Sequence, residues 1–166
     1  DLREEGERAR YTWIAKDLLP HTPMFGKPEN HDPLDYLASD VNKFLQNEVC
    51  PRLPTALKEN ICPVRKTYLC CNDGTNETRQ AVVRLWIPSA REMRLPYEKE
   101  DAGPIYIGYF SLFPDDCSAR VKEYGANSWW CRSAYSTNSF RNVNYNGNSY
   151  YSYAYNSLGV ALGFCT

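Results

Sequence analysis

The sequence predicts an α+β domain in which helices come first and an antiparallel, loop-rich β region follows. Three observations carry this. Apolar residues recur at helical spacing over 34–49. After residue 63 the chain turns to short apolar or alternating runs separated by turn residues. Asn146-Gly147 then stands between two alternating runs, the strongest short hairpin signal, because a type I′ turn needs positive φ at both of its central positions.

Taken in order, residues 1–12 read as a charged arm or linker. Their "DLREEGERAR" lacks the apolar core of a signal peptide. The run "YTWIAKDLL" (11–19) mixes aromatic and branched residues and predicts a strand. A loop follows over 20–33, punctuated by Pro20, Pro23, Pro28 and Pro33. Leu34, Leu37, Val41, Phe44, Leu45 and Val49 fall on one helical face, with Pro51 and Pro54 expected to end that helix. Leu53, Leu57 and Ile61 predict a second short helix, stopped by Pro63.

The β region begins with "VRKTYLCC" (64–71) and a turn at Asn72-Asp73-Gly74-Thr75. The apolar density of "QAVVRLWIP" (80–88) predicts a buried strand, and "PSAREM" (88–93) a helical turn near Ser89. Residues 104–110, "PIYIGYF", read as an apolar strand or ordered segment, and "NSWWCRS" (127–133) brings two indoles into the core. "SFRNVNY" and "NSYYSYAY" flank the Asn-Gly turn. "GVALGF" alternates Val160, Leu162 and Phe164 as a half-buried closing strand.

The whole chain sets bounds on function. Its 166 residues suit one domain with a short extra arm. A domain of this size buries roughly 70% of its unfolded surface, enough for a proper core. Apolar content of 43% with 23% charged residues is that of a globular chain. A net charge of −1 supplies no field for nucleic acid, and no apolar run is long enough to span a membrane. Seven cysteines without a CxxC pair argue against a zinc ribbon and for small buried hydrophobes, with at least one thiol left over if pairing is internal.

Composition singles out 133–158. Six Asn, six Ser, six Tyr and one Thr fill 19 of its 26 positions, and Arg141 is its one charged side chain. A Tyr-rich hairpin covering a core would need nothing beyond strand and turn propensity. Disorder is a poorer account, given Val143, Gly147, Ala154, Gly159 and Val160 at regular places. A binding surface explains more: Tyr offers large, rigid, amphipathic contact area, and Ser and Asn offer adaptable hydrogen bonds. The genetic code adds to this. Asn is AAC or AAT, and changing one adenine gives Tyr, Ser or Thr. Leu158 is reachable from AAC as CTC, by two changes.

At this point "SWWCRSAYSTNSFRNVNYNGNSYYSYAYNSLGVALGFC" resembles the C-terminal variable region of proteins diversified by retroelements, in which an error-prone reverse transcriptase mutates the adenines of a template repeat. The family pattern runs W-W-L-R-S, then F-R-N-V, N-G and G-V-A-x-G-F. Cys131 departs from its usual Leu. "SDVNKFLQNEVCPRLPTALKENICPVRK" and "RLWIPSAREM" resemble the family's scaffold, so the likeness runs from about Trp13 to the C-terminus.

The resemblance implies a C-type-lectin-like ligand-binding domain over 13–166: two helices packed on a small twisted antiparallel sheet with long loops, and a variable region at about 133–158. It implies scaffold roles for Trp129, Trp130, Arg132, Phe140, Val143, Gly147, Gly159 and Val160, with Ala154 packing beside them. It assigns the ligand surface to Tyr135, Ser136, Thr137, Asn138, Ser139, Asn144, Tyr145, Asn146, Asn148, Ser149, Tyr150, Tyr151, Tyr153, Tyr155, Asn156 and Leu158. The implied role is a non-catalytic receptor-binding protein or adhesin on a phage tail tip or bacterial surface, of the type found in gut bacteria and their phages. Its partner would be a protein or glycan on a host or target cell, and it would be displayed as a homo-oligomer or fused to other modules. The alternative is a structural virion or fimbrial subunit that uses the hairpin for assembly contacts.

Other chemistries find little support. The Glu-Pro-Asn, Gln-Pro-Asp and Trp-Asn-Asp strings of calcium lectins are absent, and Pro28-Glu29-Asn30 only scrambles the first. Asn76-Glu77-Thr78 fits a glycosylation sequon, a match common by chance. His21 and His31 lie in the Pro-rich loop, and with seven cysteines they allow a Cys–His pair only if the fold brings them together. No catalytic residue, metal ligand or cofactor is expected.

Overall fold

The computed structural model describes residues 2–3, 9–19, 26, 35–72, 75–95, 117–122 and 128–166. The proline-rich loop with His21, His31 and Pro28-Glu29-Asn30, and the expected strand at 104–110, lie outside the described residues. The architecture is α+β: among the described residues, short helices and antiparallel strands in three three-stranded sheets.

Two short strands open the chain, β1 (Leu2–Arg3) and β2 (Thr12–Ile14). The strand expected over 11–19 is thus shorter. Past Ile14 the Ala15 and Leu19 amides bond the Leu162 and Val160 carbonyls as irregular extended chain. Helix α1 (Asp40–Phe44) starts at Ser39, whose Oγ accepts the Asn42 amide at 3.1 Å. Val41, Phe44 and Leu45 are buried, as their spacing predicts. Leu37 is not: it precedes the cap, in a turn, and is exposed, while Leu34 lies outside the described residues.

Pro51 does not end the helix. A π-helical turn (Leu45–Val49) leads into α2 (Cys50–Arg52), with the Cys50 amide bonding the Leu45 carbonyl. Pro51 has no N–H and crowds the carbonyl four residues back, so the wider turn before it accommodates the ring. Helix α3 (Thr55–Asn60) follows and stops before Pro63.

Strands β3 (Val64–Asn72) and β4 (Thr75–Val83) form a hairpin in unbroken register from Val64↔Val83 to Asn72↔Thr75. The run 80–88 is not one buried strand. It breaks at Arg84, Val82 faces outward, and β5 (Leu85–Trp86) joins a different sheet. That sheet has the order β2-β9-β5, with β9 (Gly163–Cys165) central. The expected alternation over 159–164 also fails, since Val160, Ala161 and Leu162 are all buried. This segment is flanked by the 15–19 chain, whose amides bond the Leu162 and Val160 carbonyls, and by Trp130, whose amide bonds the Gly159 carbonyl at 3.0 Å. Gly163 lies so close to Trp86 that a Cβ there would enter the indole ring.

The third sheet, β6 (Trp129–Ser136), β7 (Ser139–Val143) and β8 (Ser149–Tyr153), has that order. Trp86, Trp129, Trp130, Tyr36, Tyr68 and Phe140 are among the largest fully buried side chains. Cys70, Cys131 and Cys165 are buried, and Cys50, Cys62 and Cys117 are half-buried.

The sheets meet at a buried carboxylate that the sequence reading passed over. Ser89 and Glu92 cap each other: the Glu92 amide bonds Ser89 Oγ at 3.1 Å, and Glu92 Oε2 accepts the Ser89 amide at 2.9 Å. Glu92 Oε2 also accepts Arg132 Nη1 at 2.6 Å, and Oε1 accepts Lys66 Nζ at 3.0 Å. Arg132 donates further to the Thr67 carbonyl at 2.9 Å and the Ile87 carbonyl at 2.6 Å. Lys66 Nζ lies 3.5 Å from the centre of the Trp86 ring.

Burial alone would raise the Glu92 pKa. The charges of Arg132 and Lys66 and the hydrogen bonds from Arg132 and Ser89 outweigh it and hold the carboxyl well below its usual range. Burial pushes Lys66 down to about 8, against the pull of Glu92.

Glu92→Gln should destabilise the fold by about 3–5 kcal/mol, because it leaves two buried cations short of their counter-charge. A carboxyl whose folded pKa is depressed contributes stability above its unfolded pKa, here 4.5, that is lost as pH falls below it. Wild-type melting temperature should therefore fall as pH drops from about 5 to about 3, and the Glu92→Gln curve should be flatter there. Chemical denaturation of both proteins across that range checks the magnitude and the slope.

Candidate ligand-binding surface

The surface is built on β7, whose five residues are all buried between β6 and β8. Trp129 and Trp130 anchor β6 in the core, with Trp129 Nε1 bonding the Arg120 carbonyl at 3.1 Å. Phe140, Val143, Ala154 and Val160 are buried beneath. The β6–β7 register shifts between Trp130 and Ala134 and again before Ser136, whereas β7–β8 runs unbroken from Val143↔Ser149 to Ser139↔Tyr153.

The connection between β7 and β8 is not the two-residue type I′ turn that Asn146-Gly147 predicts. Five residues, 144–148, lie between Val143 and Ser149, and Gly147 alone of the pair has positive φ, at 79°. Asn144 organises them. Its Oδ1 accepts the Asn146 amide at 2.9 Å and the Asn148 amide at 3.0 Å, and its carbonyl accepts the Gly147 amide at 2.9 Å. The side chain thus does the work that a second left-handed residue would do in the tighter turn.

A short 3-10 helix (Cys117–Arg120) holds this loop from outside the hairpin. Buried Arg120 donates to the Gly147 carbonyl at 2.8 Å, and the Cys117 thiol donates to Asn148 Oδ1 at 2.9 Å. A Cβ on Gly147 would overlap the Cys117 carbonyl. Nothing local in the sequence flags Arg120 or Cys117, because both act across 27 or more residues.

Most of the expected surface residues are accessible. Tyr145, Tyr150, Tyr151, Tyr153 and Tyr155 are 44–63% exposed. Thr137, Asn138, Asn146 and Asn148 are exposed as well, and Tyr135, Ser136, Asn144, Ser149 and Asn156 are half-buried. Two of the expected residues also have partners on the protein side. Ser139 is buried, because it lies on the central strand with its Oγ bonded to Asn138 Oδ1 at 3.0 Å. Leu158 is half-buried and packs against the core.

The tyrosines are ordered by one another. Tyr135 and Tyr151 stack with centroids 4.1 Å apart, Tyr150 and Tyr151 at 5.3 Å, and Tyr153 and Tyr155 at 5.2 Å, all with near-parallel planes. Arg141 is buried, with its guanidinium 4.6 Å from the Tyr135 ring centre. The accessible face is therefore aromatic, hydroxyl- and amide-bearing. Among the described residues no group of three His, Cys, Asp or Glu side chains is placed to hold a metal ion.

Over residues 18–165 the chain matches a family described as a domain of unknown function, DUF6273. The chain belongs to the DUF6273 family. The match takes in the helices, the buried Glu92 cluster and the whole hairpin. No curated protein and no solved structure matches this DUF6273 chain.

Because the exposed rings contact one another and leave the core alone, replacing Tyr150, Tyr151 and Tyr153 together by Ser should lower stability by no more than about 1 kcal/mol. A loss of several kcal/mol in chemical denaturation, comparable to emptying core sites, would make these rings structural.

Proposed function

We propose that this DUF6273 chain is a non-catalytic ligand-binding protein with a C-type-lectin-like domain, whose 133–158 surface is diversified by adenine-directed retroelement mutagenesis. The observation that carries the reading is a division of labour within one hairpin. Residues matching the fixed part of the family pattern, Trp129, Trp130, Arg132, Phe140, Val143, Gly147, Gly159 and Val160, are buried. The Tyr, Asn and Thr positions reachable by adenine change supply most of the exposed face. A surface that must change without unfolding its scaffold calls for that separation. On this reading the protein is displayed on a phage tail tip or a bacterial surface, and its partner is a protein or glycan on a host or target cell.

Sequencing sibling copies of the gene tests the diversification. Differences should concentrate at adenine-bearing codons within 133–158, with Trp130 and Gly159 fixed. Changes spread evenly over the gene would remove the retroelement from the account.

Binding should depend on shape and hydrogen bonding more than on long-range attraction, since the single charge of the tract, Arg141, is buried against Tyr135. Affinity for a cognate target should change less than about threefold between low and physiological salt. One or two Tyr truncations should each cost at least about 2 kcal/mol while most neighbours cost little. An alanine scan from Tyr135 to Leu158 in which no substitution weakens binding would favour an assembly subunit instead.

A further inference from the structure

We propose that the outer edge of β8 is a strand-addition site that takes an extended, uncharged polypeptide segment as a fourth strand of the β6–β7–β8 sheet. This rests on the ligand-binding reading of 133–158 and narrows its target to polypeptide.

The hydrogen-bond parity of the hairpin fixes which groups face out. At one end the Asn144 amide bonds the Asn148 carbonyl at 2.9 Å, and at the other the Ala154 amide bonds the Asn138 carbonyl at 3.0 Å. The register between them is unbroken. In an antiparallel pair, hydrogen-bonded and non-bonded positions alternate. Tyr150 and Ser152 therefore face β7 with their amides and carbonyls, while Ser149, Tyr151 and Tyr153 turn theirs outward. Among the described residues only the Tyr153 carbonyl of this set has a partner, the Asn156 amide at 2.9 Å.

A donor and an acceptor thus repeat every second residue, about 6.8 Å apart, along the end strand of the sheet. That period belongs to extended polypeptide; sugar hydroxyls do not share it. Natural edge strands are guarded by Lys, Pro or a bulge. Ser149–Tyr153 has none of these, and the register shifts of this sheet lie on its other side, between β6 and β7. The exposed rings of Tyr150, Tyr151 and Tyr153 and the absence of a charged side chain from Ser149–Tyr153 suit an uncharged segment. Main-chain bonds would supply affinity independent of the side chains, and variable side chains would supply choice.

The test selects binders to the full chain from a random dodecapeptide library. It then compares wild type, Tyr151→Ala and Tyr151→Pro with the selected peptides. Pro at 151 removes an outward N–H and leaves the β7 ladder intact, a position edge strands tolerate. Tyr151→Pro should bind at least about tenfold more weakly than Tyr151→Ala. Peptide should also slow amide exchange at Ser149, Tyr151 and Tyr153.

Where Tyr151→Pro fails to fold, N-methylated peptides decide: methylation at one alternate set of amides should abolish binding and at the other leave it unchanged. Equal affinity of the two variants together with indifference to N-methylation overturns the proposal. So does a β8-dependent dimer of the chain that excludes peptide. A library without binders, with glycan-array binding lost on Tyr→Ala, overturns strand addition and leaves the ligand surface standing. Binding untouched by every alanine in 133–158 removes the surface reading itself.

Discussion

Glu92 joins pieces of chain that no single sheet connects. Its carboxylate takes Lys66 from β3, Arg132 from β6 and the Ser89 amide of its own turn. Arg132 in turn reaches the Thr67 and Ile87 carbonyls, so one guanidinium spans the first hairpin, the turn region and the start of the second. Such a cluster is a poor source of net stability, because stripping water from three ions costs about as much as their attraction returns. Its value is geometric. A buried carboxylate with two cations and a backbone amide is satisfied in one arrangement, so the strand carrying Arg132 has one register. The cluster holds two cations to one anion, and the excess charge is met by the Trp86 face and by two carbonyls. From Arg132 the order passes outward, since β6 places β7 and β7 places β8.

Legibility in the sequence followed how local each cause was. Val41, Phe44 and Leu45 announced the helix because spacing on one turn is a local property. Leu37 misled because the same spacing continues past the point where Ser39 caps the helix. Asn146-Gly147 marked the place of the reversal correctly, but Asn144 and Arg120 determine its form, one through a side-chain carbonyl and the other from a distant segment. The ionic cluster was hidden in ordinary-looking charges. Ser89 and Glu92 did carry a readable sign, the Ser-x-x-Glu spacing of a capping box. Lys66 shares the inward parity of Val64, Tyr68 and Cys70 along β3, which is the pattern of a buried lysine in need of a partner.

The chemistry of Asn, Ser, Thr and Tyr explains how a surface could tolerate exchange among them. None carries a charge, so no exchange within the set leaves an ion stranded, and each brings a polar group that water satisfies when exposed. The stacked pairs Tyr135–Tyr151 and Tyr153–Tyr155 lie outside the core, so losing one ring costs contact area and opens no cavity. The limit is set where a side chain of the tract turns inward. Asn142 is buried and donates to Ser152 Oγ at 2.7 Å across the strand pair. Replacing Ser152 by Tyr would remove that acceptor from a buried amide and force a ring into a half-buried position. Position 152 is thus coupled to 142 in a way that Tyr150 and Tyr153 are not. Freedom to vary in this hairpin is therefore decided position by position, by whether the side chain has a partner on the protein side of the sheet.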